Sequence, residues 1–308
     1  MRGFLRPKPQ WLRWVFVVAA ATVLLRAVLG SIYSQTAVMY LAVPYLMGLL
    51  LFFVWPEPGG DTKGIRAARF FRNAIILFFA SSLLLLEGWL CMLFALPLYL
   101  VVVGLVFLVA DAGRDSTYKT RMAALPLLIA VLSMEGAVPG VAFQRDHSVT
   151  RSAVVSASIP DIKAQLAQPF TLERERSRFL SLFPLPHRFD AGTLEEGDVH
   201  VGHFTYRRWP VGNTHNGELH VALAEVGERH LRTEIVRNDA YFAHYLTVKG
   251  TRVEMEPLPG GQTRVSLSID YSRDLDPAWY FGPLQKRAMG ESAELLLDAL
   301  FVPAGTGA

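Results

Sequence analysis

Residues 263–301 read TRVSLSIDYSRDLDPAWYFGPLQKRAMGESAELLLDALF, a strand followed by a helix. In the first ten residues Val265, Leu267, Ile269 and Tyr271 alternate with Arg264, Ser266, Ser268 and Asp270, so one strand face is apolar and the other wet. Further on, Leu284, Ala288, Ser292, Leu295 and Ala299 recur at helical spacing. Asp276 is placed as the N-cap with Pro277 at the first helical position, and Gly282-Pro283 would interrupt or restart the helix.

Upstream, similar alternation runs over 199–209, 218–226, 231–237 and 245–255, with turn signals at Asn216-Gly217 and Pro259-Gly260-Gly261. This predicts an antiparallel meander. Before it, 148–158 reads as a first strand, 159–170 as a short amphipathic helix with Pro160 in an early position, and 171–184 as a second helix. Together these give an α+β domain over 146–303, with a curved antiparallel sheet gripping a long C-terminal helix, and a 304–308 tail. The natural ligand site is a cavity between sheet and helix.

Residues 1–145 are built for lipid. Apolar stretches at about 14–33, 37–55, 70–86, 89–110 and 122–143 approach the roughly 20 residues that cross a bilayer core, giving a membrane domain of about five transmembrane helices. Pro44 predicts a kink, and Glu87-Gly88 marks a hairpin turn. The basic residues divide in the same way. Up to Arg145 there are 13 Lys and Arg against 6 acidic residues, and beyond it 17 against 21. The basic excess therefore belongs to the membrane half, and the soluble half offers no basic patch for nucleic acid. The N-terminus, the loop with Lys63, Arg66, Arg69 and Arg72, and the loop with Arg114, Lys119 and Arg121 are basic. The connections near Ser34 and Glu87 carry no Lys or Arg. The positive-inside rule then puts the N-terminus in the cytoplasm and, after five crossings, the C-terminal domain outside a plasma (inner) membrane. Arg26 lies about 12 residues into the first span, roughly 18 Å deep at 1.5 Å per residue. Glu135 lies at matching depth and Glu87 slightly further out, so Arg26 is expected to pair with one of them.

Candidate chemistry is sparse. Cys91 is the single cysteine, which excludes an intrachain disulfide. All eight histidines lie beyond residue 146, but His200 and His203 project to opposite strand faces and no second ligand motif joins them, so no metal is expected. Glu195, Glu196, Asp198, His203, Glu218 and Asp270 could do acid–base work, yet none sits in a catalytic motif, and residues 195–198 read as a charged turn. A nucleophile elbow, a Walker loop and a Rossmann glycine pattern are all missing, and no cofactor is expected. Alternation nominates Phe204, Tyr206, Leu219, Val221, Leu267, Ile269 and Tyr271 as pocket residues. Trp279, Tyr280 and Phe281 join them, either as a clamp at the mouth or as a packing corner for the terminal helix.

The segments FPLPHRFDAGTLEEGDVHVGHFTYRRW (183–209), GELHV (217–221), LDPAWYFGPLQKRAM (275–289) and EGWLCMLFALP (87–97) resemble bacterial membrane proteins that carry a C-terminal START-like domain. These belong to the SRPBCC or helix-grip superfamily of polyketide cyclases and lipid-transfer proteins. The resemblance implies a hydrophobic pocket shared across the superfamily rather than a shared catalytic apparatus. The expected function is membrane-anchored, extracytoplasmic binding of a hydrophobic ligand such as a membrane lipid or isoprenoid. One alternative is a cyclase- or dehydratase-like enzyme with a carboxylate or histidine in the cavity. Another is a sensor or assembly partner with a filled core.

Overall fold

The computed structural model describes residues 10–54, 62–85, 88–112, 124–172, 175–190, 192–207, 209, 212–240, 243 and 245–301; Glu87, Arg114, Lys119, Arg121, His244 and the 304–308 tail lie outside them. The chain divides into two compact units, Met1–Phe143 and Gln144–Ala308.

In the second unit the strands are β1 (Asp146–Val155), β2 (Phe170–Thr171), β3 (Arg188–Phe189), β4 (Val199–Arg207), β5 (Thr214–Val226), β6 (His230–Asn238), β7 (Leu246–Leu258) and β8 (Gln262–Arg273). They form one antiparallel sheet in the order β1-β8-β7-β6-β5-β4-β3-β2. The meander therefore closes on its N-terminal strand, and β1 pairs with β8 from Asp146 opposite Ser272 to Val155 opposite Thr263. On the wet face Thr150 bonds Ser268 and Ser152 bonds Ser266, both at 2.8 Å. On the other face Val265, Leu267, Ile269 and Tyr271 are buried. They pack with Ala288, Met289, Ala293, Leu297 and Leu300 of the long helix Ala278–Phe301. Each fully buried side chain of this size contributes about 1.5–3 kcal/mol. Register shifts at His220/Val221, Leu223/Glu225 and Val248/Gly250 add bulges, which bend a sheet and strengthen its twist. The result is a curved half-barrel gripping a long C-terminal helix. A shorter helix, Ile159–Leu166, opens on a capping box between Ser158 and Asp161 and buries Ile162 in the same core.

Local expectations fail at several points in this unit. Asn216-Gly217 is no turn: both residues lie inside β5, with Gly217 opposite Phe204. A Cβ on Gly217 would stand 2.5 Å from the Phe204 ring, so the glycine makes room for an aromatic neighbour. The predicted helix over 171–184 is only a 3-10 turn at Leu180–Leu182 among its described residues. Leu172 and Leu180 are buried against Leu295 without helical periodicity, so tertiary packing rather than a regular element organises the segment. Gly282-Pro283 does not interrupt the terminal helix. Pro283 is the sixth residue of the helix; it removes one backbone bond in the opening turns, and the helix runs through.

In the first unit the helices α1 to α5 are Gln10–Tyr33, Val43–Val54, Lys63–Leu84, Trp89–Ala112 and Ala124–Leu132. We number Ile159–Leu166 α6 and Ala278–Phe301 α7. Among the described residues, α3 and α4 are long and apolar enough to cross a membrane, not about five helices. The described apolar part of α1 is 20–33, and the stretch Val38–Phe53 begins as a π segment, Val38–Ala42, just before Pro44. Among the described residues helix α5 runs over nine, about 13 Å against a core of about 30 Å. The fifth span fails because Gly136, Pro139 and Gly140 fall in turns, with Gly136 and Gly140 at positive φ. Packing between the helices is close: Gly48 lies against Val106 and Gly104 against Phe71, as small residues allow in apolar bundles.

Candidate functional site

Between the concave sheet face and α7 lies a cavity of about 220 Å³. Its walls come from β4 and β5 (His200, Phe204, Leu219, Val221, Leu223), from β6 to β8 (Leu231, Thr233, Ile235, Asn238, Val248, Thr251, Val253, Leu267, Ile269), and from α7 (Met289, Ser292, Leu295, Leu296, Leu300). Leu166, Phe170, Leu172, Pro184, Leu185, Pro186, Phe189 and Leu194 close one side. The segment carrying Pro184 to Pro186 is tied to α7, where Ser177 donates to Glu291 and the Arg287 guanidinium sits 4.7 Å over the Phe179 ring. Burial pushes the Glu291 carboxyl up, but the Ser177 hydroxyl and its ion pair with Arg287 outweigh burial, and it ends below its ordinary value.

Among the described lining residues none is Asp, Glu, Lys or Arg. The polar side chains there are mostly engaged. Thr233 and Thr251 bond one another at 2.8 Å, and the Thr251 amide donates to the Thr233 hydroxyl at 3.0 Å. Asn238 Oδ1 accepts from the Ala240 amide. His200 Nε2 lies 2.9 Å from the Thr193 carbonyl; a carbonyl only accepts, so Nε2 carries the hydrogen. Ser292 is the exception: its Oγ is buried without a hydrogen-bond partner. Leaving a hydroxyl unmet costs about 1–3 kcal/mol.

Of the nominated pocket residues, Phe204, Leu219, Val221, Leu267 and Ile269 line this cavity; Tyr206, Tyr271, Trp279, Tyr280 and Phe281 are not among its lining residues. Tyr206 stacks on His215 at 5.3 Å beside Phe204. Tyr271 is buried beside His147, and burial raises its phenol above the ordinary value. Trp279 is 54% exposed and packs edge-on to Tyr280, which packs edge-on to the buried Phe281. The aromatic run thus sits at the start of α7, away from the cavity wall. Sequence reasoning missed Ser292 as a site residue because, within the helical stripe, it reads as one more small packing position.

The acid–base candidates lie elsewhere. Gly197 takes φ +93°, and the Asp198 amide donates to the Glu195 carbonyl, so 195–198 is a turn. Its carboxylates hold the neighbouring backbone and side chains, with Glu196 accepting from the Val226 amide and Asp198 from the Thr193 hydroxyl. His203, on the face opposite His200, pairs with Asp190 at 2.7 Å, and that hydrogen bond holds the Asp190 carboxyl below its ordinary value. Glu218 pairs with His220 at 2.8 Å, and Asp270 faces Arg252 at 3.9 Å. Among the described residues no group of three or more His, Cys, Asp or Glu is placed to hold a metal ion.

Asp276 is fully buried. Its carboxylate does not act as the expected cap but meets Arg273 and Arg145, each at 2.5 Å. Arg145 also donates to the Arg273 carbonyl, and the Arg273 amide returns a bond to the Arg145 carbonyl at 2.8 Å. The motif LDPAWYF therefore encodes an ionic knot that fixes the start of α7 to the ends of β1 and β8. In the first unit the buried Arg26 donates to the hydroxyls of Ser81 and Ser82 at 2.6 and 2.9 Å. Glu135 is also buried, and its carbonyl accepts from the Ala37 amide at 3.1 Å. The Ser81-Ser82 hydroxyls, within an apolar stretch, are partners that reading Arg26 against carboxylates alone left out.

No family model matches the chain, and no curated protein matches it. Among solved structures it is similar to a START superfamily protein from Mycobacterium smegmatis, with 16% identity over 50% of this chain and 94% of that one and a TM-score of 0.34. It is also similar to norcoclaurine synthase from Thalictrum flavum in complex with dopamine and hydroxybenzaldehyde, with 16% identity, 50% and 87% coverage and a TM-score of 0.28. Major latex-like protein 151 from Panax ginseng gives 10% identity, 48% and 96% coverage and a TM-score of 0.23.

Proposed function

We propose that the second unit binds a hydrophobic small molecule, a membrane lipid or isoprenoid, in the cavity beneath α7, and that the first unit holds it at a plasma membrane for lipid handling or transfer. The observation that carries the reading is the cavity itself, walled by apolar side chains and bare of charged residues among those described. At about 220 Å³ it exceeds the ~150 Å³ apolar cavity that binds benzene. It is smaller than the roughly 300–1,000 Å³ usual for drug-sized ligands, so the guest is compact or enters in part. A cyclase-like reaction would call for a carboxylate or histidine over the cavity: His200 lines it, but its Nε2 is committed to the Thr193 carbonyl, and no carboxylate is among the described lining residues. An assembly role would call for a filled interior, which the cavity does not fit.

Two long apolar helices support membrane attachment. The Ala37 to Glu135 hydrogen bond sets the end of α5 beside the α1–α2 connection, on the side whose connections lack Lys and Arg. By the positive-inside rule this favours an extracytoplasmic second unit even though α5 is short.

The test uses the full chain in nanodiscs of one synthetic phospholipid. Native mass spectrometry should recover an apolar species other than that phospholipid from the wild type and not from Leu223→Trp, which fills the cavity. Equal recovery from both, or from neither, would sink the proposal.

A further inference from the structure

Resting on the proposed ligand-binding role of this cavity, we propose that its ligand is an uncharged, largely apolar molecule with one hydrogen-bonding group, of the alcohol or carbonyl class, and that Ser292 Oγ receives that group. A serine in a helix usually returns its hydroxyl to the carbonyl one turn back; Ser292 does not, and its Oγ is buried without a partner on a residue that lines the cavity. Among the other polar side chains of the wall, the Thr233 and Thr251 hydroxyls bond each other, Asn238 Oδ1 accepts from the Ala240 amide and His200 Nε2 donates to the Thr193 carbonyl, whereas the Ser292 hydroxyl is buried with no partner at all. One unmet hydroxyl in an apolar wall selects for one complementary group. The described wall offers no Lys or Arg to an anionic head and no Asp or Glu to a cationic one, and an unpaired charge is excluded from such a site by desolvation. Ionised fatty acids and phosphate-bearing heads therefore stay outside.

The probes are naphthalene, 2-naphthol and 2-naphthoate, which share one ring system and differ in carrying no polar group, a neutral hydroxyl or a charge. Binding to the full chain in nanodiscs is measured by calorimetry at pH 7, with partition into empty nanodiscs subtracted. The wild type should prefer 2-naphthol over naphthalene by roughly three- to tenfold. Naphthoate should bind about tenfold more weakly than naphthol, or worse. In Ser292→Ala the naphthol preference should fall below about twofold while naphthalene affinity holds, which also shows that the variant is folded. Equal binding of naphthol and naphthalene by the wild type, or a preference unchanged in Ser292→Ala, overturns the role of Ser292 and leaves the apolar site standing. Tightest binding of naphthoate overturns the uncharged class. Binding of none of the three overturns the ligand-binding reading itself.

Discussion

Replacing Asp276 with Asn tests the ionic knot at the start of α7. The substitution keeps side-chain shape but removes the charge that Arg273 and Arg145 share at 2.5 Å each. The two arginines differ in what they can do next. The Arg145 side chain is 34% exposed and can turn to water, whereas Arg273 is 1% exposed. The loss is therefore dominated by one guanidinium left buried without its counter-charge, which costs about 3–5 kcal/mol. For a unit of this size each 1 kcal/mol lowers Tm by about 2–4 °C, so a drop of roughly 10 °C is expected. Hydrogen exchange of the β8 and α7 amides in the full chain, followed with temperature, reads this unit separately from the helices of the first unit. Arg145→Ala should cost much less, about 1–2 kcal/mol, because its site is open to solvent. The double variant Arg273→Met, Asp276→Leu should recover most of the stability lost in Asp276→Asn, since an apolar pair is tolerated where a lone charge is not. A fall under 2 °C for Asp276→Asn, or a double variant no better than the single one, would refute the assignment of the cost to a stranded charge.

Gly250→Ala places its Cβ 2.0 Å from the Thr233 carbonyl, a backbone group that cannot swing aside. Parting β6 from β7 there should cost about 2–4 kcal/mol and weaken 2-naphthol binding through the Thr233 and Thr251 wall, as chemical denaturation and calorimetry would show. Gly217→Ala drives a Cβ toward the Phe204 ring instead; the ring can retreat into the cavity, so stability should fall by only about 1 kcal/mol while ligand affinity drops, and Phe204→Leu should restore it. Acid should loosen the segment tied to α7. The Glu291 carboxyl lies below its ordinary 4.5 in the folded chain, so its contribution is complete above that value and is lost as pH falls through the folded value. Proteolysis near Ser177 should accelerate as pH falls from 4.5 downward, and Glu291→Gln should show the fast cleavage already at pH 7.

How far the fold could be read depended on which residues set each element. Strand and helix type in 263–301 follow from periodicity, because a half-buried strand and a one-sided helix each repeat their burial pattern along the chain. The pairing of β1 with β8 is not a local property, and nothing within 146–155 names its partner. Asn216-Gly217 shows the limit in the other direction. A dipeptide that favours turns sits within β5 because Phe204 needs the space a side chain would fill, so a contact 13 residues away in the paired strand overrides local propensity. In the apolar first unit, mean hydropathy reports which residues avoid water but not where a helix stops. The stretch 122–143 is apolar enough to be taken for a span, yet its glycines and proline turn the chain after Leu132.

The cavity was legible in part for a related reason. Alternation sorts a strand's residues into two faces, and the face carrying Phe204, Leu219, Val221, Leu267 and Ile269 is the one that meets α7. It does not say where along that face side chains fill the interior and where they leave space. Tyr271 and Leu267 share one face of β8, yet Tyr271 packs against His147 and only Leu267 reaches the cavity. The same limit hides Ser292 within the stripe of α7, between Ala288 and Leu295. Its importance depends on the absence of a nearby acceptor, which is a property of the assembled wall. A polar residue becomes a ligand contact when folding leaves it unmet beside empty space. In this chain a hydroxyl at 292 meets that condition, whereas the carboxylates at 195, 196, 198, 218 and 270 lie off the cavity wall.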